Sequence, residues 1–276
     1  MTVRPVMKVT RGEKTSDGAG VKMTRVLGTP DARMFDPFLM LDHFNTDNAD
    51  DYIGGFPEHP HRGFETVTYM LDGKMRHGDN TGREGVIQTG GIQWMRAGRG
   101  IVHSEMPEQT EGRMRGFQLW VNLPGKLKMS DPDYQEFDAD KIPVEERQGG
   151  GAVKVIAGTT GRGTRGPVGG GAVDALYFDV SLIKGQTFSE AVGADRNVMI
   201  VSYEGMITVA GRLMEPVSAA FMGPGDEIEV TADDDARFLV IAGKPLGEPV
   251  AWGGPFVMNT REEVMQAYQD FQSGRF

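Results

Sequence analysis

Two histidines one residue apart, His59 and His61, and a third followed at the same offset by a glutamate, His103 and Glu105, are the residues of this chain best suited to chemistry. The 276 residues contain five histidines, at 43, 59, 61, 77 and 103, and random placement would give about 0.07 His-x-His pairs. Alternate residues of a strand project to one face, so on strands each pair points one way. Two neighbouring strands would then bring three imidazoles and one carboxylate to a single point, the ligand set of a divalent first-row metal. Cysteine is absent, which removes disulfides, thiolate ligands and thiol redox chemistry and leaves nitrogen and oxygen as donors.

The elements that must position these donors read as short strands. Pro60 lacks an N–H and biases His59 toward extended geometry, so residues 56–61 are expected at a sheet edge or a strand start. Gly98 and Gly100 permit a tight turn before a strand that carries His103 and stops at Pro107. Glycine, at 39 residues, is about 14% of the chain against a usual share of about 7%, and with 15 prolines it favours turn-dense β architecture. Further strands are expected over 64–71, 91–95, 116–123 and 152–157, with a second β region over 173–241. A short helical turn is expected over 133–137.

Composition excludes several classes. A net charge of −10 argues against binding nucleic acid through its phosphates, and no segment approaches the roughly 18 apolar residues of a membrane span. No apolar core of signal-peptide length follows Met1, so a soluble, cytoplasmic protein is expected, and a monomer. Arg62, Arg96, Arg99, Arg113 and Arg115 flank the histidine segments and are expected to form a positive rim that draws an anionic substrate or an acidic partner.

Gly161-x-Gly163-x-x-Gly166 matches a dinucleotide-binding pattern, but Pro167 and the glycines after it cannot propagate the helix whose N-terminus would hold a pyrophosphate, so a connecting loop is the reading. Near the C-terminus Thr260 and Glu263 fit a capping box opening a helix with an apolar stripe at Val264, Tyr268 and Phe271, ended by Ser273-Gly274. A faint internal echo links residues 69–75 with 201–207, each an apolar strand, an acidic-Gly turn and a second strand. Two similar barrels are implied, only one of which keeps histidines.

The segment Phe56-Pro57-Glu58-His59-Pro60-His61-Arg62-Gly63-Phe64-Glu65-Thr66, with residues 41–44, 97–107, 118–122, 255–260 and 272–276, resembles the pirins, a bicupin family, over nearly the whole chain and in family order. The resemblance implies an all-β fold of two stacked, jelly-roll-like cupin barrels with a short C-terminal helix. It divides the chain into a metal-binding barrel (1–131), a connecting segment with a Gly-rich loop (132–171), and a second barrel without metal ligands plus the helix (172–276). It implies one metal, iron(II), on His59, His61, His103 and Glu105, a site at which manganese, nickel, copper or zinc can substitute. Glu65, the usual cupin carboxylate position, would orient a histidine from behind, while His77 and Asp79, two apart on the strand after Gly73, are expected to lie behind the ligands or to be exposed. His43 is expected to pack structurally, and Phe56, Arg62, Met106 and Phe117 to meet the substrate.

The chemistry implied by the resemblance is that of quercetin 2,3-dioxygenase, which cleaves a flavonol's central ring with O₂ and releases carbon monoxide. Glu105 would take the proton of the flavonol 3-hydroxyl. The competing implication is a regulatory protein whose surface follows the metal's redox state and binds a transcription factor or a metabolic enzyme without turnover.

Overall fold

Strand Leu176–Leu182 reads Leu-Tyr-Phe-Asp-Val-Ser-Leu, and its alternation decides the packing: Leu176, Phe178, Val180 and Leu182 enter one apolar core, while Asp179 and Ser181 turn to the other face. Antiparallel register repeats this across neighbours, with Val180 opposite both Val153 and Phe238, and Phe178 opposite both Val155 and Val240. Each such side chain contributes roughly 1.5–3 kcal/mol by leaving water. In the computed structural model, which describes residues 1–169 and 171–276, this logic builds an almost wholly β molecule with one α-helix among the described residues. Gly170, in the expected Gly-rich loop, lies outside the described residues.

The chain forms two compact units whose segments alternate along the sequence. One comprises Met1–Glu13, Val26–Pro37 and Asp140–Pro245, and the other Lys14–Arg25, Phe38–Ala139 and Leu246–Phe276. The first contains a seven-stranded sheet in the order Val6–Arg11, Ser218–Met222, Asn197–Glu204, Ala236–Gly243, Leu176–Leu182, Gly151–Ala157 and Val144–Arg147. It also contains a four-stranded sheet, and its interior is filled by aliphatic and aromatic side chains. The Gly161–Gly166 segment is a loop, closed by a bridge between Thr159 and Arg165, in which the Gly161 N–H donates to the Glu190 carboxylate.

The second unit holds all five histidines. Its seven-stranded sheet runs Asp133–Phe137, Ile92–Arg96, Phe64–Asp72, Met114–Asn122, Phe38–Thr46, Val21–Leu27 and Glu13–Asp17. Its four-stranded sheet runs Phe56–His61, Ile101–Pro107, Met75–Asp79 and Glu84–Ile87, so the proline-bearing histidine strand occupies an edge. Residues 133–137 are a strand paired with Ile92–Arg96 rather than a helical turn. Pairing with a neighbour overrode a local helix-start pattern, and Tyr134 and Phe137 suit a strand. Helix α1, Arg261–Gln272, carries the expected capping box: the Thr260 side chain accepts from the Glu263 N–H, and the Glu263 carboxylate accepts from the Thr260 N–H. No helix is long and apolar enough to cross a membrane.

Candidate metal centre

The edge strand Phe56–His61 and its antiparallel neighbour Ile101–Pro107 place His59 directly opposite His103 and His61 opposite Ile101. Along the second strand Ile101, His103 and Glu105 are buried while Val102, Ser104 and Met106 are half-buried, so His103 and Glu105 share the inner face. The ring centroids of His59 and His103 lie 4.4 Å apart, His59 and His61 4.7 Å, and His61 and His103 5.0 Å. One ring nitrogen from each falls within 4.8 Å of the other two.

Their hydrogen bonding suits a cation. His59 Nδ1 lies 2.8 Å from the Pro57 carbonyl, which fixes a proton there and turns the bare Nε2 outward as a ligand lone pair. His61 Nδ1 and both nitrogens of His103 are buried with no hydrogen-bond partner, an arrangement that a native fold keeps only with a reason. Burial, with neighbouring imidazoles adding repulsion, holds His61 and His103 well below the usual histidine range, so both rings are neutral at pH 7 and able to ligate. These three imidazoles can hold a metal ion.

Glu105, 3% exposed, is not within that 4.8 Å cluster but lines the same cavity. Its Oε2 accepts from Gln118 Nε2 (2.8 Å), and its Oε1 lies 2.9 Å from the Thr68 hydroxyl, which shares its one hydrogen with Gln118 Oε1. The cavity, about 430 Å³, is lined by His59 and His61 and adds Phe56, Trp120, Trp252, Met40 and Arg25 to them. Trp120 stacks on Phe64 with centroids 4.2 Å apart and stands edge-on to His61 at 5.1 Å.

Strand parity sorts the remaining candidates. Arg62, Met106 and Phe117 are each one residue from a cavity-lining side chain (His61, Glu105, Gln118), and none of the three lines the cavity. Arg62 is instead buried against α1, donating to Asp270 Oδ2 (2.7 Å) under the Phe276 ring. Phe117 stacks on His43 at 4.6 Å, in keeping with a packing role for that histidine. Glu65, three residues from Thr68, faces away from the histidines and accepts from Trp94 Nε1 (2.8 Å) and Arg96 Nε (2.9 Å), so it orients no imidazole. Phe56 escapes the parity rule because a register shift between His103 and Glu105 brings Phe56 opposite Glu105.

His77 and Asp79 stand across the ladder from Glu105 and His103. His77 Nε2 is 2.7 Å from Glu136 Oε2, and Asp79 accepts from the Tyr134 phenol and from Thr81 and Arg83. Neither belongs to the three-histidine cluster. The expected positive rim is absent as such, because every one of its arginines is matched to an acid. Arg62 meets Asp270, Arg96 Glu65, Arg99 Asp131, Arg113 Asp47 and Arg115 Asp72. Sequence reasoning missed Thr68, Gln118, Trp120, Trp252 and Arg25, whose shared destination only the sheet register discloses.

An antiparallel barrel unit with three inward imidazoles defines a cupin able to bind metal. The pirin family model matches residues 20–121, and the model of the pirin C-terminal cupin domain matches residues 177–276. A pirin-like protein of Caulobacter vibrioides is 68% identical over all of both chains. A Pseudomonas aeruginosa protein provisionally named as a quercetin 2,3-dioxygenase is 47% identical, over 98% of this chain and 97% of its own. The crystal structure of a quercetin 2,3-dioxygenase from Acinetobacter baumannii superposes with a TM-score of 0.92 at 32% identity, covering 99% of this chain and 98% of that one. The chain belongs to the pirin family.

Proposed function

We propose that the protein is a dioxygenase of the quercetin 2,3-dioxygenase type, acting on flavonol-like molecules at one metal held by His59, His61, His103 and Glu105, with iron(II) the resident ion. The observation that carries this reading is the pairing of orphaned, neutral imidazoles with a cavity of about 430 Å³ walled by aromatic and thioether side chains. The names of the Pseudomonas and Acinetobacter relatives support the same chemistry. When bound, the metal supplies Lewis acidity toward the flavonol 3-hydroxyl and a place for O₂ beside it.

The chain's own residues do the rest. Trp120, Phe56 and Met40 flank a planar substrate and exclude water around it. Glu105 takes the 3-hydroxyl proton on a carboxylate oxygen. Gln118 and Thr68 hold that carboxylate in place, so the proton transfer needs no search through rotamers. The O₂-dependent step then opens the central ring and releases one ring carbon as carbon monoxide.

Iron-loaded protein incubated with quercetin in air should bleach the flavonol absorbance and evolve carbon monoxide, and His61→Ala should lower the rate at least 100-fold while lowering bound metal. Fully loaded protein that leaves quercetin intact would refute the enzymatic reading. Partner capture that follows the metal's redox state would then favour a regulatory role.

A further inference from the structure

The cavity has a second polar pole, which the proton chemistry does not use. Arg25 lines it with Asp42 and Asp17. Arg25 donates through Nε to Asp42 Oδ1 (2.9 Å) and through Nη2 to Asp42 Oδ2 (2.8 Å), a bidentate pair with Asp42 buried. Asp17, exposed, stands 3.8 Å from Nη2. A guanidinium carries five N–H donors, and Asp42 takes two, so Nη1 has no hydrogen-bond partner among the described residues. Burial pushes the Asp42 carboxyl up, Arg25 offsets part of that rise, and the hydrogen bond from Asp42 raises Arg25 in turn.

Register fixes how far this pole lies from the chemistry. Asp42 is directly opposite Gln118, and Gln118 is directly opposite Thr68, the residue that holds Glu105. Adjacent strands are about 4.8 Å apart, so the Asp42 and Thr68 backbones, two strands apart across this cavity wall, are separated by about 10 Å. A planar molecule of two or three fused or linked rings spans that gap, with apolar walls at Met23, Met40 and Phe44 between. The charge balance selects what sits at the far end. Arg25 is neutralised by Asp42 and faced by Asp17, so a substrate carboxylate would meet two acids, whereas a hydroxyl can accept from the arginine and donate to the acid.

We propose that Arg25, held by Asp42, and Asp17 form a subsite that recognises a phenolic hydroxyl at the end of the substrate remote from the imidazoles. Arg25 donates to the hydroxyl oxygen and Asp17 accepts its hydrogen. The inference rests on the flavonol reading of the same cavity. It makes these residues specificity determinants, because an analogue lacking the hydroxyl forgoes both hydrogen bonds.

The test is equilibrium binding, without turnover, of quercetin and of 3-hydroxyflavone, which keeps the 3-hydroxyl and carbonyl but lacks the ring hydroxyls. Quenching of tryptophan fluorescence in the iron-loaded full chain under argon reports both. The wild type should bind quercetin at least tenfold more tightly than 3-hydroxyflavone. Arg25→Lys, which keeps the charge but loses the fork, and Asp17→Ala, at an exposed site, should each weaken quercetin about tenfold and leave 3-hydroxyflavone within about twofold. Equal affinity of the wild type for both flavonols overturns the inference, and so do variants that weaken both alike. A wild type that binds neither overturns the flavonol reading itself and this inference with it.

Discussion

His43 is 3% exposed, with its ring stacked on Phe117, and burial, reinforced by Arg115, Lys14 and Arg113, lowers its pKa to about 3 from 6.5. The folded chain therefore keeps this ring neutral where the unfolded chain would protonate it. Above pH 6.5 the two states bind the same number of protons and His43 has no pH effect. Between 6.5 and about 3 the unfolded state binds more, so stability falls by up to about 1.4 kcal/mol for each unit of acidification. The melting temperature of metal-free protein should drop between pH 6.5 and 4.5, with the buried His61 and His103 contributing beside His43, and His43→Phe should make that limb shallower; an unchanged slope in the variant would exclude His43 as one of its sources. At this scale the convergence of His59, His61 and His103 was legible because an x-spaced pair on a strand needs no tertiary information beyond its neighbour. Arg62, Met106 and Phe117 were misassigned because nearness along the chain was allowed to stand for nearness in space, although one residue's offset reverses the face.

Elements show how the metal strand is braced. After His61 the chain turns at Gly63, where φ is +88° and a Cβ would approach the Val257 carbonyl to 2.0 Å, a position only glycine fills without strain. Lys128, 1% exposed, donates to the Gly63 carbonyl (2.8 Å), Asn122 Oδ1 (2.6 Å) and the Val257 carbonyl (2.9 Å), tying the end of that strand to the Phe256–Met258 strand. Nothing in the sequence marks a fully buried lysine, since lysine is among the residues least often found there. The capping box of α1 was readable because its partners lie three residues apart. Lys128→Met should leave three buried acceptors without a donor, destabilise by about 3 kcal/mol and lower the melting temperature by roughly 6–12 °C. Calorimetry checks the size of the effect, and a loss under 1 kcal/mol would show that the clamp is dispensable.

At the scale of the molecule the two units differ in what fills them. One is centred on an apolar cluster of Val153, Phe178, Ile200, Phe238 and their neighbours and buries no histidine, whereas the other buries His61, His103, Glu105, Thr68 and Gln93. The two-barrel architecture and the confinement of histidines to one unit were legible from strand-turn echoes and from where the histidines stop. How the termini distribute was not, because exchange of end segments leaves no periodic trace. The histidine unit draws on Lys14–Arg25, Phe38–Ala139 and Leu246–Phe276, and the last of these supplies Val257, α1 and the cavity's Trp252. A fragment of residues 1–139 should therefore show no cooperative melting transition and bind less than one-tenth of the metal held by the full chain. A sharp transition with one equivalent of metal in that fragment would contradict the assignment of the C-terminal segment to this unit.

That interleaving carries a timing consequence for biosynthesis. On a ribosome adding roughly 5–20 residues per second, the imidazole strands emerge first, then wait on the order of ten seconds for the segment that seals them. Until then the strands that carry His59, His61 and His103 lack Trp252 and Val257, so the finished cavity cannot close around them ahead of that segment's synthesis.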